Sequence, residues 1–130
     1  MKHSEGFLKL VNQAKSRIRE ITVDETQQRR TENQAAKLLD VREDNEWSAA
    51  HAAGAIHLGK GVIERDIEVK VPDKATELIL YCGGGYRSAL AVDALQRMGY
   101  TNVFSMAGGW KAWRESGGEI ESSPEADLPF

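Results

Sequence analysis

The chain has 130 residues, a formal net charge of −3 and a single cysteine, Cys82. A chain of this length supports one domain with a real core, and its weakly negative charge excludes a general attraction to nucleic acid or anionic lipid. One cysteine excludes an internal disulfide framework and a thiolate-rich zinc site. The sequence lacks a secretion signal and any apolar run near the ~20 residues of a membrane span, so we expect a soluble, cytoplasmic protein.

The first half of the chain alternates between helix and strand patterns. Apolar residues at three- and four-residue steps predict an amphipathic helix over about residues 5–20, docked on the body of the protein. A short strand at 21–23 follows, and Asp24 is expected to cap a polar helix that runs through about residue 33. The elements predicted next are a buried strand at 36–41, a short helix around Trp47, a short strand at 55–58 and a helix at 61–69.

The second half contains the strongest strand pattern, residues 77–81, which ends at Cys82. Glycines follow the cysteine, and a helical pattern begins at Ala89 with Gly99 as its C-terminal stop. The remaining elements are a strand at 102–106, a tight turn at Gly108 and Gly109, and a last helix with Trp110 and Trp113. From Gly117 the chain becomes polar and is expected to fray.

Strands that alternate with helices predict an α/β fold, with a mainly parallel central sheet and helices on both faces. In such sheets, ligands bind beyond the carboxyl ends of the strands. Cys82 lies at this edge, as do Asp40 and Arg42 if their strand is the neighbour of 77–81. The predicted organisation is an N-terminal helical extension (1–20), one domain (21–118) and a polar C-terminal tail (119–130).

Cys82 and the residues after it have the chemistry of a nucleophile or anion site. Thiolate is the reactive form of cysteine, and backbone N–H groups at a helix N-terminus favour it. The three glycines at 83–85 can adopt positive φ and let a substrate approach the backbone closely. Arg87 adds a planar positive group suited to an oxyanion, and Ser88 is expected to cap the helix or donate a hydrogen bond to the intermediate.

Several blocks of residues in fixed order resemble the single-domain rhodanese family over about residues 21–118. The blocks are 38–43 (LLDVRE), 46–47 (EW), His51 with 54–58 (GAIHL), 81–88 (YCGGGYRS), 99–100 (GY) and 107–113 (AGGWKAW). Each block alone is weak. Chance similarity becomes improbable when all of them occur in the order and spacing of the family.

The resemblance implies a three-layer domain and a sulfurtransferase that needs neither a metal nor an organic cofactor. Cys82 would take the sulfane sulfur of a donor such as thiosulfate, become a persulfide and pass the sulfur to cyanide, a small thiol or a protein acceptor. With one cysteine in the chain, the acceptor must be external. The substrate-binding candidates are Gly83, Gly84, Gly85, Tyr86, Arg87, Ser88 and Arg42, with Asp40 in a supporting role.

The rival enzyme is a cysteine-dependent phosphatase, since the cell-cycle dual-specificity type resembles rhodanese in fold. Its signature has five residues between Cys and Arg, whereas four separate Cys82 from Arg87 here, and Ser88 occupies the position of the phosphatase arginine. A shorter loop makes a smaller cradle, which suits one sulfur atom better than three phosphoryl oxygens. Sulfur transfer is therefore the favoured function.

A third class is a non-catalytic, rhodanese-like module that binds a partner or senses redox state. The retained cysteine disfavours this class, because inactive members generally lack it. The apolar stripe of residues 1–20 could still mediate dimer or partner contact, and the sequence leaves the oligomeric state open. His51 and His57 are expected to have structural roles, because their spacing suggests no metal cluster.

Overall fold

The computed structural model describes residues 2–122. Its elements are α1 (Glu5–Lys15), β1 (Glu20–Ile21), α2 (Val23–Glu32), β2 (Lys37–Asp40), α3 (Asp44–Ala49), β3 (His51–Ala52), β4 (Ile56–His57), α4 (Ile63–Lys70), β5 (Leu78–Tyr81), α5 (Tyr86–Arg97), β6 (Val103–Met106), α6 (Gly109–Glu115) and β7 (Ile120–Glu121). None of these helices is both long and apolar enough to cross a membrane.

Five strands form a central sheet in the order β1-β6-β5-β2-β4, and every pair in it is parallel. Strand β5 lies in the middle and all four of its residues are buried, which explains its unbroken apolar sequence. Leu80 of β5 pairs with Leu39 of β2, and Tyr81 pairs with Asp40. This arrangement confirms the predicted α/β fold with a mainly parallel sheet.

The two faces of the sheet support two separate parts of the core. Side chains alternate along each strand, so that Leu78 and Leu80 face one side while Ile79 and Tyr81 face the other. The first side packs against α4 and α5, and the second packs against α2 and α6, where Trp113 is buried. Helices thus cover both faces, and the sheet carries Cys82 at its carboxyl edge.

Helix α1 docks on the body through Val11 and Ala14, as the apolar pattern predicts, but it ends at Lys15 rather than near residue 20. Ser4 caps its N-terminus by accepting a hydrogen bond from the Phe7 amide, 3.4 Å away. The turn after the helix brings the chain back to β1 at the edge of the sheet, because β1 pairs with β6.

The start of α2 corrects the prediction for Asp24. Thr22 is the N-cap: its hydroxyl accepts from the Glu25 amide and the Glu25 carboxylate accepts from the Thr22 amide, each at 3.0 Å. This reciprocal capping box fixes the helix start two residues earlier than expected. Asp24 lies in the first turn, where its charge complements the helix dipole.

The beginning of the predicted polar tail is ordered by a second, two-stranded sheet. Strand β7 pairs antiparallel with β3, and Ile120 lies opposite Ala52. The Trp113 indole N–H donates to the Glu119 carbonyl at 2.9 Å, which ties this segment to α6. The expected fraying from Gly117 is therefore wrong for residues 117–122, and the rest of the predicted tail, 123–130, lies outside the described residues.

Candidate active site

Cys82 lies directly after the central strand β5 and forms the floor of a surface cavity. Only 1% of the residue is exposed, and it packs in the same core cluster as Leu80. The sheet therefore holds the thiol rigidly while one side of it faces the cavity. Helix α5 begins at Tyr86, three residues before the predicted start, because Gly85 with a φ of 99° forms its N-cap.

The loop after Cys82 points one backbone amide at the Cys82 sulfur, while the carbonyls of Cys82 and Gly83 bind the first turn of α6. The Gly85 N–H donates to Cys82 Sγ at 3.1 Å. The Cys82 carbonyl accepts from the Trp110 amide at 2.7 Å, and the Gly83 carbonyl accepts from the Lys111 amide at 3.2 Å. The first turn of α6 thus fixes the loop, and the N-terminus of α5 supplies a partial positive charge beside the sulfur.

Two buried hydroxyls lie behind the sulfur. Ser88 Oγ is 3.5 Å from Cys82 Sγ and 2.8 Å from Ser105 Oγ, and both serines are fully buried. Ser88 lies inside α5, so the expectation that it caps this helix is wrong. A hydroxyl can donate as well as accept, so Ser88 can hydrogen-bond either the thiol or the thiolate.

Arg87 reaches the cavity but is paired with a carboxylate. Its Nη1 and Nη2 donate to Glu46 Oε1 and Oε2 at 2.8 and 3.2 Å. The hydrogen bond to Glu46 raises the pKa of Arg87 above its usual value, with a smaller contribution from the Cys82 sulfur. The same hydrogen bond lowers the pKa of Glu46. The pair therefore stays ionised, and its charges largely offset each other.

The cavity above Cys82 has a volume of about 410 Å³. Three aromatic rings, an ion pair and the cysteine loop form its wall. The lining residues are His3, Phe7, Glu46, Cys82, Gly84, Tyr86 and Arg87. A nucleophile at the floor, a donor aimed at it and a guanidinium at the rim can bind an anion and transfer a group to sulfur.

The rhodanese-like domain family matches residues 22–116 of the chain. The chain belongs to this family. The match runs from the N-cap of α2 to the end of α6 and includes the whole cysteine loop.

Relatives of this rhodanese-like chain include a sulfurtransferase. The thiosulfate sulfurtransferase PspE of Escherichia coli (strain K12) is 37% identical over 73 residues, which are 56% of this chain and 69% of PspE. YrkF of Bacillus subtilis (strain 168) is 28% identical over 98 residues, 75% of this chain and 52% of YrkF. The chain thus spans about half the length of YrkF and about two thirds of PspE.

A solved structure with a similar fold comes from Rhodopseudomonas palustris CGA009. RPA3614, described as a protein of unknown function and a possible tyrosine phosphatase, is 27% identical with a TM-score of 0.80. The similarity covers 93% of this chain and 98% of RPA3614, so it extends beyond residues 22–116.

The structure places Arg42 and Asp40 apart from the Cys82 cavity. Arg42 is 4% exposed and binds the Asp40 carboxylate through Nε and Nη2, with a shortest distance of 2.8 Å. Its Nη2 also donates to the Ala50 carbonyl at 2.7 Å, and its guanidinium lies 4.7 Å from the Trp110 ring centroid. Arg42 lines a second cavity, which shares Glu46 with the Cys82 cavity, and its contact with the donor stays a prediction.

Asp40 binds the Arg42 side chain and the turn after β2. Its Oδ1 accepts from the Arg42 amide at 2.9 Å. Beside this turn, His51 and His57 stack on Trp47 with centroid distances of 3.4 and 5.0 Å. Among residues 2–122, no group of three or more His, Cys, Asp or Glu side chains is arranged to hold a metal ion.

Besides His3 and Phe7 of the cavity wall, three contributors to the site carry little or no signal in the sequence. Glu46 carries only the signal of its resemblance block, and Ser105 sits in a strand without any distinguishing neighbour. Gly109 was predicted only as part of a turn. A Cβ on Gly109 would overlap the Cys82 carbonyl oxygen, so this glycine allows α6 to approach the cysteine loop.

Proposed function

We propose that the protein is a sulfurtransferase in which Cys82 carries sulfane sulfur as a persulfide. The Cys82 thiolate attacks the outer sulfur of thiosulfate or a related donor. A sulfur–sulfur bond to Cys82 forms, the sulfur–sulfur bond of thiosulfate breaks, and sulfite leaves with the bonding electrons. Cyanide or a thiolate acceptor then attacks the outer sulfur of the persulfide and releases the Cys82 thiolate.

The Gly85 amide, 3.1 Å from Cys82 Sγ, is the observation that carries this proposal. A backbone donor at the N-terminus of α5 stabilises negative charge on sulfur in the attacking thiolate and in the persulfide. The Cys82 thiol donates to Ser88 Oγ at 3.5 Å, and once the sulfur is ionised the Ser88 hydroxyl is within reach to donate in return. Arg87 at the rim is the proposed binding group for the charged end of the donor, and the amides of Gly83 and Gly84 complete the proposed loop site.

Turnover requires an acceptor outside the chain, because Cys82 is its only cysteine. The cavity opens to the surface, so the persulfide sulfur is within reach of a small thiol, of cyanide or of a thiol on a partner protein. A reducing, cytoplasmic compartment would keep Cys82 in the reduced state, from which the attacking thiolate forms.

The second candidate is a cysteine-dependent phosphatase, which the description of RPA3614 favours. Two features of the loop oppose it. Four residues rather than five separate Cys82 from Arg87, and Ser88 at the phosphatase arginine position turns toward Ser105 inside the protein. A buried hydroxyl therefore stands at the phosphatase arginine position, and the arginine of this loop, Arg87, is paired with Glu46.

Intact mass spectrometry tests the proposal. After incubation with thiosulfate, the protein should gain the mass of one sulfur, ~32 Da, and lose it again on addition of cyanide or dithiothreitol. The Cys82→Ser variant is the matched control and should gain nothing. An adduct on Cys82→Ser, or no adduct on the native protein, contradicts sulfur transfer. Hydrolysis of a generic aryl phosphate by the native chain but not by Cys82→Ser would establish the phosphatase instead.

A further inference from the structure

Part of the Cys82 cavity is built by residues outside the domain that defines the family. The family match begins at residue 22, whereas His3 and Phe7 both line the cavity. The N-terminal segment is therefore more than a packing element, since it contributes side chains to the wall that faces the nucleophile.

The position of this segment is fixed by buried and charged contacts to α5. Val11 and Ala14 of α1 are 0% and 1% exposed. Just after the helix, Arg17 binds Asp93 through two hydrogen bonds of 3.0 and 2.8 Å, and the Gln96 amide donates to the Arg17 carbonyl at 2.9 Å. These contacts hold α1 in one register on α5, so His3 and Phe7 keep their places above the cysteine loop.

The two side chains form an aromatic cluster with Tyr86. The His3 ring lies 5.3 Å from the Phe7 ring and 4.6 Å from the Tyr86 ring, while the Phe7 and Tyr86 rings are 6.3 Å apart. All three centroid distances are in the range where aromatic rings attract one another. The cluster presents edges and faces of rings to the cavity, which is a surface for a planar or apolar group.

The charges of the cavity do not favour a small inorganic anion over an organic one. Among residues 2–122, the ionised side chains in its wall are Arg87 and Glu46, and they bind each other. The volume of about 410 Å³ lies in the range of sites for small organic ligands and leaves much of the cavity empty around a thiosulfate ion.

We infer that Cys82 takes its sulfur from an organic donor, R–SO₂–S⁻ or R–S–S⁻, whose R group is aromatic or apolar and packs among His3, Phe7 and Tyr86. This inference rests on the proposed sulfurtransferase activity and specifies its substrate class. With benzenethiosulfonate, the Cys82 thiolate attacks the terminal sulfur. The new sulfur–sulfur bond forms on Cys82, the bond from that sulfur to the sulfonyl sulfur breaks, and benzenesulfinate leaves with the electron pair.

The test compares two donors that differ in the R group, benzenethiosulfonate and methanethiosulfonate. The second-order rate of persulfide formation on Cys82 is measured for each donor by quenching and intact mass. The ratio of the two rates, aryl over methyl, is then compared between the native chain and variants. Differences in intrinsic donor reactivity cancel in this comparison, so a change in the ratio reports contacts with the R group.

We expect the aryl-to-methyl ratio to fall about tenfold in Phe7→Ala and in His3→Ala, the size of a lost aromatic contact. His3→Phe retains an aromatic ring at this position, so its aryl-to-methyl ratio should stay close to that of the native chain. Leu10→Ala is the matched control, because Leu10 is on the same helix but 57% exposed and absent from the cavity wall. A thermal melt of each variant separates loss of the contact from loss of the fold.

Three outcomes are distinguishable. A ratio that falls in Phe7→Ala and His3→Ala but not in Leu10→Ala supports the inference. A ratio unaffected by both ring substitutions overturns it, while persulfide formation from thiosulfate would leave the proposed function intact. If the native chain forms no persulfide with thiosulfate or with either thiosulfonate, the proposed function fails and the inference fails with it.

Discussion

Arg87 shares its positive charge between Glu46 and the Cys82 cavity. The guanidinium is 31% exposed and keeps both hydrogen bonds to the carboxylate, so a bound anion meets a charge that is already partly offset. A donor oxyanion can still accept from the fork of N–H groups on its open side. We therefore propose that Arg87 positions the donor, while the Gly85 amide and Ser88, which contact Cys82 Sγ, act on the sulfur itself.

Replacement of Arg87 tests this division of roles. Arg87→Ala should raise the KM for thiosulfate well beyond twofold, because the donor loses its charged contact at the rim. Steady-state kinetics over a range of thiosulfate concentrations measure the effect, which should be largest at low substrate. Arg65→Ala is the control, since Arg65 forms an exposed pair with Asp66 on α4. An unchanged KM in Arg87→Ala would remove Arg87 from the donor site.

At the residue scale, site residues that are close together in the sequence could be predicted, whereas contacts between residues on different strands and helices could not. Cys82, the glycines and Arg87 lie within six residues, so their motif is visible in the sequence. Glu46 is 41 positions from Arg87, and Ser105 is 17 positions from Ser88. Such pairs become neighbours only through the order of strands in the sheet. The same order placed Arg42 against Asp40 and Trp110 instead of the Cys82 cavity.

At the level of elements, the first turn of α6 supports the cysteine loop more directly than the sequence suggests. Its amides bind the carbonyls of Cys82 and Gly83, and Gly109 with a φ of 52° brings the helix close to that backbone. Helix α6 and the cysteine loop therefore form one unit. A shift of α6 would move the Gly85 amide away from the sulfur as well.

A methyl group at position 109 should disrupt this unit. Gly109→Ala places a Cβ against the Cys82 carbonyl and imposes a positive φ on a residue with a side chain, which alone costs about 1–2 kcal/mol. We expect a lower melting temperature and at least about tenfold slower persulfide formation from thiosulfate. Gly61→Ala is the control, because no atom lies within 4 Å of a Cβ built there. Equal rates in the two variants would contradict the coupling of α6 to the loop.

Element type was predictable where one pattern runs over several residues. The apolar runs of β2 and β5 and the amphipathic periods of α1 and α4 all lie in or near their predicted segments. The two-residue strands β3 and β7 are too short for any period, and they form only because the chain end returns to His51–Ala52. Helix α5 begins three residues earlier than expected. Its apolar pattern starts only at Ala89, whereas the N-cap at Gly85 starts the helix at Tyr86.

For the molecule as a whole, the N-terminal segment is integrated with the domain. It buries Val11 and Ala14, adds β1 to the sheet and contributes two rings to the cavity wall. An ion pair between Arg17 and Asp93 links this segment to α5. Asp93 is 5% exposed and also binds Arg97. The stability of the fold and the shape of the cavity wall therefore depend on the same docking, and the pH dependence of the free energy of unfolding should report it.

The Asp93 link predicts a pH-dependent stability difference between the native chain and Asp93→Asn. Hydrogen bonds from Arg17, with a further contribution from Arg97, lower the pKa of Asp93 below its usual value. At pH values above the pKa of about 4 that Asp93 has in the unfolded chain, the ionised Asp93 contributes its full stabilisation. There we expect Asp93→Asn to lower the free energy of unfolding by about 2 kcal/mol. As the pH falls below about 4, Asp93 binds a proton in the unfolded chain but not yet in the folded chain. The stability difference between the native chain and Asp93→Asn therefore narrows, and it disappears once the pH has passed the lowered pKa of the folded state. Thermal melts of the native chain and Asp93→Asn from about pH 3 to about pH 8 measure this difference in stability. Asp66→Asn is the control, because Asp66 belongs to an exposed pair. A stability difference that stays constant down to about pH 3 would contradict the role of the ionised Asp93.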